Sequence, residues 1–266
     1  MTAFTEISTE NLNRLVGLPG APTILDVRTD EDFDADPRLI PTSWRIRHDA
    51  VGAEAVALAG RRVVVACQRG LKLSHGAAAI LRAAGVAAEA LEGGTLAWSA
   101  AGLPMVPVSK LPTSALWVTR HRPKVDRIAC PWLIRRFVDP SARFLFVAPS
   151  EVAAVADRFG ASPFDIEGTF WSHRGEACTF DTMIEEWCLG TEPLLRLATV
   201  VRGADTNRHD LAPEAAGLLA LSVGLSRQYR DDLAQLDAGM AMYDALYRWA
   251  RDGQGEAHDW PAGRAA

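Results

Sequence analysis

Cysteine is scarce in this chain, and the four that occur, Cys67, Cys130, Cys178 and Cys188, form no C-x-x-C pair and no zinc-ribbon spacing. That excludes a disulfide-stapled scaffold and suits a reducing, cytoplasmic setting. No apolar run approaches the roughly 20 residues that a bilayer demands, and residues 1–6 carry neither a basic nor an apolar leader pattern. A soluble protein with no membrane partner is the expectation. Positive charge is not in surplus either: 28 Lys and Arg stand against 33 Asp and Glu, a net charge of −5. No global field draws such a chain to nucleic acid, so any anionic ligand has to be met by a local basic cluster. Internal repeats and low-complexity tracts are also missing, which removes solenoid architectures.

What is present is enough material for two ordinary domains in 266 residues. Up to about Val108, short apolar segments at 23–27, 62–66 and 88–91 alternate with helical patterns at 9–16 and 74–84. This alternation predicts an α/β domain with a parallel sheet flanked by helices. Three prolines within residues 104–112 cannot continue a helix and mark a boundary. The expected division is 1–108 for the α/β domain, 109–115 for a proline-containing linker, 116–252 for a second domain and 253–266 for a disordered tail. In the second domain, 117–119 and 144–147 read as strands. Segments 126–137, 150–159 and 179–188, and those opening near Pro193, Pro213 and Asp231, read as helices. It is therefore expected to be mainly α-helical with a small sheet.

Chemistry concentrates at one cysteine. Val63-Val64-Val65-Ala66 reads as a buried strand that delivers Cys67 into the loop Gln68-Arg69-Gly70-Leu71-Lys72-Leu73, with Ser74 read as the N-cap of an alanine-rich helix. A thiol beneath a helix N-terminus, ringed by loop N–H groups and by Arg69 and Lys72, is favoured as the thiolate. Gly70 lets the loop curl through positive φ. The alternative for Cys67 is an inert core cysteine at a strand end.

Three segments together resemble the single-domain rhodaneses, the sulfurtransferase fold. Ile24-Leu25-Asp26-Val27-Arg28 with Glu31 and Phe33 is similar to the family's L-D-V-R-x-x-x-E-F. The C-x-x-G loop from Cys67 comes next, and Leu91-Glu92-Gly93-Gly94 with Ala97-Trp98 and Gly102-Leu103-Pro104 is the third. The resemblance covers nearly all of residues 1–106 and implies a catalytic persulfide on Cys67. The sulfur would come from a small anionic donor such as thiosulfate and pass to a thiol or a cyanide-like acceptor. Gln68, Arg69, Gly70, Leu71, Lys72 and Leu73 would cradle the substrate, and the transfer requires no cofactor. Leu39 stands where the family usually has histidine. The related phosphatase design needs an arginine six positions after the cysteine, where this chain has Leu73. Asp26 and Arg28 read as a strand-end ion pair, and Gly93, Gly94 and Trp98 as a tight turn and a core plug.

Residues from about 116 to 247 resemble the domain of chromate-resistance protein B. The stretches that carry this are Trp117-Val118-Thr119-Arg120, Asp126 through Phe137, Phe144 through Val147, His173 through Asp181, and Val201-Arg202-Gly203-Ala204-Asp205. The resemblance implies a link to bacterial chromate resistance. Within these stretches Asp126 and Cys130 share a helix face, while His173, Cys178 and Asp181 bracket a turn into a helix. Asp126, His173, Asp181 and Asp205 make a nitrogen and carboxylate set suited to iron, manganese or zinc. The alternative is that these acids cap helices or pair with Arg127, Arg135, Arg136 and Arg202. Cys130 and Cys178 read as small core residues. The basic residues Arg120, Arg122, Lys124, Arg127, Arg135 and Arg136 offer another ligand class, a tetrahedral oxyanion such as chromate; no recognition-helix pattern favours nucleic acid.

The reading that results is rhodanese-type sulfur transfer through Cys67, linked to chromate resistance by a second domain that binds a metal or an oxyanion. The competing class is a chromate or redox sensor without turnover, in which modification of Cys67 signals to the second domain.

Overall fold

Val63, Val64 and Val65 are wholly buried, as a β-branched run must be when both of its faces are covered. The computed structural model describes residues 5–256 and places this run at the centre of a parallel sheet. In chain order the elements are β1 (Glu6–Ile7), α1 (Thr9–Asn13), β2 (Thr23–Asp26), α2 (Asp30–Ala35), β3 (Arg38–Leu39) and β4 (Trp44–Arg45). There follow β5 (Arg62–Ala66), α3 (Lys72–Ala83), β6 (Ala87–Leu91), α4 (Gly94–Ala100) and β7 (Val106–Pro107). The sheet order is β1-β6-β5-β2-β4, all parallel, with Leu25 opposite Val65 and Val65 opposite Ala90. β3 and β7 form a separate antiparallel pair.

Side-chain alternation divides the sheet between two cores. Val63, Val65, Leu25 and Cys67 pack with Ala77, Ala78 and Leu81 of α3, whose small residues let the helix approach closely. Ile24, Val64, Ala66 and Leu91 belong to the other core, with Trp98. The helix after Cys67 starts earlier than its sequence suggests. Leu71 is its N-cap and has no side-chain cap, so Ser74 lies inside the first turn rather than capping it.

The second half contains β8 (Leu116–Arg120), α5 (Asp126–Phe137), β9 (Arg143–Val147), α6 (Val152–Phe159), β10 (Ser162–Pro163) and α7 (Thr179–Glu186). It ends with α8 (Glu192–Asp205), α9 (Glu214–Gln228) and α10 (Asp232–Asp252). A small parallel sheet, β10-β8-β9, is covered on one side by α6 through Val118, Val152 and Ala161. On the other side Trp117 meets Phe164, Trp171 and Trp187 at ring centroid distances of 6.1, 6.0 and 6.2 Å. α-Helix dominates this half, with the small sheet at one side. Residues 253–256 continue from α10 as a turn, and the disorder expected of the tail beyond them falls outside the described residues. Among the described residues no helix is long and apolar enough to cross a membrane.

The proline segment does not interrupt the interior. Ile24, Val64 and Trp98 share one contiguous buried core with Trp132, Phe137 and Tyr247 of the helical half. Gly17, at φ +81°, lies so close to α5 that a Cβ would sit 2.4 Å from Phe137 Cζ. The Thr42 N–H donates to the Phe137 carbonyl at 3.2 Å. Lys110 of this segment is tied down too, since Trp187 Nε1 donates to its carbonyl and its Nζ pairs with Glu186 at 2.7 Å. Phe137 therefore stands where the two halves meet. Phe137→Ala is expected to cost about 3–5 kcal/mol of stability in urea melts. The exposed Val56→Ala should change it by less than about 0.5 kcal/mol.

Candidate functional site

Two sites can be built from the residues upward. At the first, β5 ends beside the N-terminus of α4, where the Thr95 and Leu96 N–H groups donate to the Cys67 and Gln68 carbonyls at 3.0 Å. Holding these carbonyls on one side turns the following N–H groups toward the sulfur. Those of Arg69, Leu71 and Ser74 favour the anionic form of Cys67. The Ser74 hydroxyl lies 3.3 Å from Cys67 Sγ and 3.1 Å from the Leu71 carbonyl. Burial pushes the thiol up, but the Ser74 hydroxyl and the three N–H groups outweigh it and hold Cys67 below the usual thiol range. The sulfur is nearly enclosed, with Cys67 only 4% exposed.

Glycine is required where the loop meets the turn before α4. A Cβ on Gly94 would stand 2.1 Å from the Cys67 carbonyl, and one on Gly70, at φ +66°, would stand 2.5 Å from the Leu91 carbonyl. Arg69, Leu71 and Lys72 are exposed at the rim, while Gln68 and Leu73 are half-buried and Gly70 is buried. Asp26 and Arg28 do not reach this loop. They form a buried pair in which Arg28 also donates to the Asp36 and Arg38 carbonyls, fixing the chain after α2.

The second site begins with a strained residue. Val125, a β-branched side chain at φ +38°, precedes α5 and is held by its N–H donating to Ser222 Oγ and its carbonyl accepting from Tyr243. That turn aims Asp126 at the N-terminus of α7, where the Thr179 and Phe180 N–H groups donate to its two oxygens at 2.8 and 3.1 Å. Cys130 Sγ donates to the same carboxylate at 3.4 Å. His173 Nε2 lies 3.6 Å from Asp126, 3.4 Å from Asp165 and 3.3 Å from Asp205. Burial, then the facing Asp205 and Asp165 carboxylates, push Asp126 up to about 8. Hydrogen bonds to Asp165 and Asp205 push His173 up to about 10.

Three of the four anticipated ligands thus converge and one does not. Asp181 is directed elsewhere: its carboxylate accepts from the Cys178 N–H at the start of α7 and from Arg202 at 2.7 Å. Its place beside His173 is taken by Asp165, which accepts from Arg120 at 2.9 Å, Arg127 at 3.2 Å and Thr179 Oγ1 at 3.2 Å. The basic residues of this half are mostly engaged. Arg122 donates to the Ser226 and Tyr229 carbonyls, Arg136 pairs with Asp244, and Arg135 lies over the Phe144 ring.

Residues 117–250 match the family model described as the ChrB C-terminal domain. The chain belongs to the ChrB C-terminal domain family. Residues 8–101 match the rhodanese-like domain, which fits the parallel sheet and the loop at Cys67. A protein ChrB from Cupriavidus metallidurans is 35% identical over 132 residues, spanning 49% of this chain and 39% of that relative. The chain thus covers well under half of that relative's length. A rhodanese-related protein from Thermoplasma volcanium is 25% identical, covering 38% of this chain and 97% of its own, at a TM-score of 0.33. A thiosulfate sulfurtransferase from Pseudomonas aeruginosa is 30% identical, covering 39% of this chain and 19% of its own, at a TM-score of 0.34.

In this ChrB-type chain sequence reasoning missed two residues. Serine before an alanine run is the usual helix-start signal, whereas here the Ser74 hydroxyl lies against the sulfur. Asp165 lies in a loop at φ +52° with no helical register to place it; the available signal was an aspartate in the turn-like run Phe164-Asp165-Ile166-Glu167-Gly168. Ser74→Ala removes a donor from the thiolate, so the Cys67 pKa rises. The midpoint of the pH profile for iodoacetamide alkylation of Cys67 is expected to move to higher pH, with the protein's far-UV circular dichroism unchanged.

Proposed function

We propose that this protein carries sulfur as a persulfide on Cys67 and that the transfer serves chromate resistance through its ChrB-type half. The observation that supports it most directly is the set of donors around one sulfur: the Ser74 hydroxyl and the N–H groups of Arg69, Leu71 and Ser74. These stabilise a thiolate before attack and a terminal persulfide sulfur after it. The Cys67 thiolate attacks the outer sulfur of thiosulfate, the S–S bond of the donor breaks, and sulfite leaves with the electron pair. The resulting Cys67 persulfide then gives its terminal sulfur to a thiolate or to cyanide, which forms a new bond to sulfur while the Cys67 thiolate is released. Exposed Arg69 and Lys72 at the rim attract the dianionic donor, and the enclosed sulfur limits attack by bulky oxidants.

The test is thiocyanate formation from thiosulfate and cyanide by the full chain. Wild-type protein is expected to turn over, and Cys67→Ser to fall to the uncatalysed rate. Equal background rates in both would remove sulfur transfer as the function.

A further inference from the structure

In the helical half, three carboxylates face one imidazole nitrogen. His173 Nε2 is within 3.6 Å of Asp126, Asp165 and Asp205, yet a single N–H can serve only one acceptor well. Asp165 is already neutralised from behind by Arg120 and Arg127. Asp126 is different: 1% exposed, it has backbone and thiol donors but no Lys or Arg within ion-pairing distance among the described residues. Asp205 likewise has His173 as its only ion-pair partner among the described residues. Two carboxylates and an imidazole are therefore left pointing at a common space.

We propose that Asp126, His173 and Asp205 bind a divalent first-row cation of the manganese, iron or zinc class. One ligand atom from each lies within 4.8 Å of the others. Ligands at about 2.1 Å from a shared ion stand about 3.0–3.6 Å apart, a spacing His173 Nε2 already has to Asp126 at 3.6 Å and to Asp205 at 3.3 Å, so closure of the set needs shifts of up to about an ångström. His173, with its side chain 40% exposed, is the ligand free to make them. Asp126 is fixed by the N-terminus of α7, which gives the site one immobile ligand with hydrogen-bonded support. The neighbouring sulfurs do not convert it to a soft-metal site. Cys130 donates its thiol to Asp126 and neither it nor Cys178 belongs to the converging set, so oxygen and nitrogen are the donors offered. Three protein ligands leave coordination positions open toward the exposed side of His173.

This inference is independent of sulfur transfer at Cys67, and its test keeps the two apart. Full-length protein is stripped with EDTA, dialysed, and titrated with manganese chloride and with zinc chloride by calorimetry; metal is then counted by mass spectrometry after gel filtration. One equivalent of at least one ion is expected to bind, and to raise the thermal midpoint of the wild type. Asp205→Asn and His173→Gln are each expected to weaken binding about tenfold or more, whereas Asp181→Asn and Cys67→Ser should bind as the wild type does. Because His173 is a surface side chain, His173→Gln remains informative if Asp205→Asn does not fold. Absence of saturable binding by both ions, or equal affinity in the wild type and His173→Gln, would overturn the proposal.

Discussion

The buried carboxylate of Asp126 is the constraint around which the helical half is arranged. A charge taken out of water is tolerable only when strong donors surround it. The chain supplies them by directing the N-terminus of α7 at a side chain from the first turn of α5. Both helices thus present their positive ends to one carboxylate, and their relative placement follows from that demand. The strained Val125 is part of the same arrangement: Ser222 of α9 and Tyr243 of α10 hold its backbone, so four helices converge on one turn. Burial and the facing acids nevertheless leave Asp126 well above the usual carboxylate range. Its donors therefore answer only part of the charge collected there.

Cys67 uses the same device in the other half. An anion-forming atom sits below a helix N-terminus, and a second helix N-terminus, that of α4, holds the adjoining carbonyls away from it. The two sites differ in what surrounds them. At Cys67 the donors outweigh burial and the group is driven toward its charged form. At Asp126 neighbouring carboxylates reverse the balance. The first group is shifted toward its charged form and the second away from it.

What the sequence disclosed follows the range of the interactions involved. The α/β character of the first half was legible from Val63-Val64-Val65 and from the alternation around it, because local pattern and burial agree there. Helix α5 is legible over Asp126–Phe137, although Val125 before it supplies no side-chain cap. The loop at Cys67 is legible because its N–H donors follow the sulfur closely in sequence, although the Ser74 hydroxyl beside it is not. Asp165 was not, since its role depends on Arg120, Arg127, Thr179 and His173, which are brought together only by the fold. Asp181 was misplaced for the converse reason. It is near His173 in sequence, but local backbone geometry at the start of α7 and the later Arg202 claim its carboxylate.

The shared core bears on whether Cys67 works as a carrier or as a switch. Ile24, Val64 and Trp98 continue into Trp132, Phe137 and Tyr247, so a displacement in the sheet would be felt in the helices. Transmission needs more than contact, however; it needs an element with two arrangements that a ligand can bias. The Cys67 loop is poorly suited to be that element. Its carbonyl and that of Gln68 are bonded to α4, and Gly70 and Gly94 touch neighbouring backbone too closely for even a methyl group. A loop held this tightly keeps the Cys67 sulfur at a fixed position. His173 in the helical half, its side chain 40% exposed, is less confined than that loop.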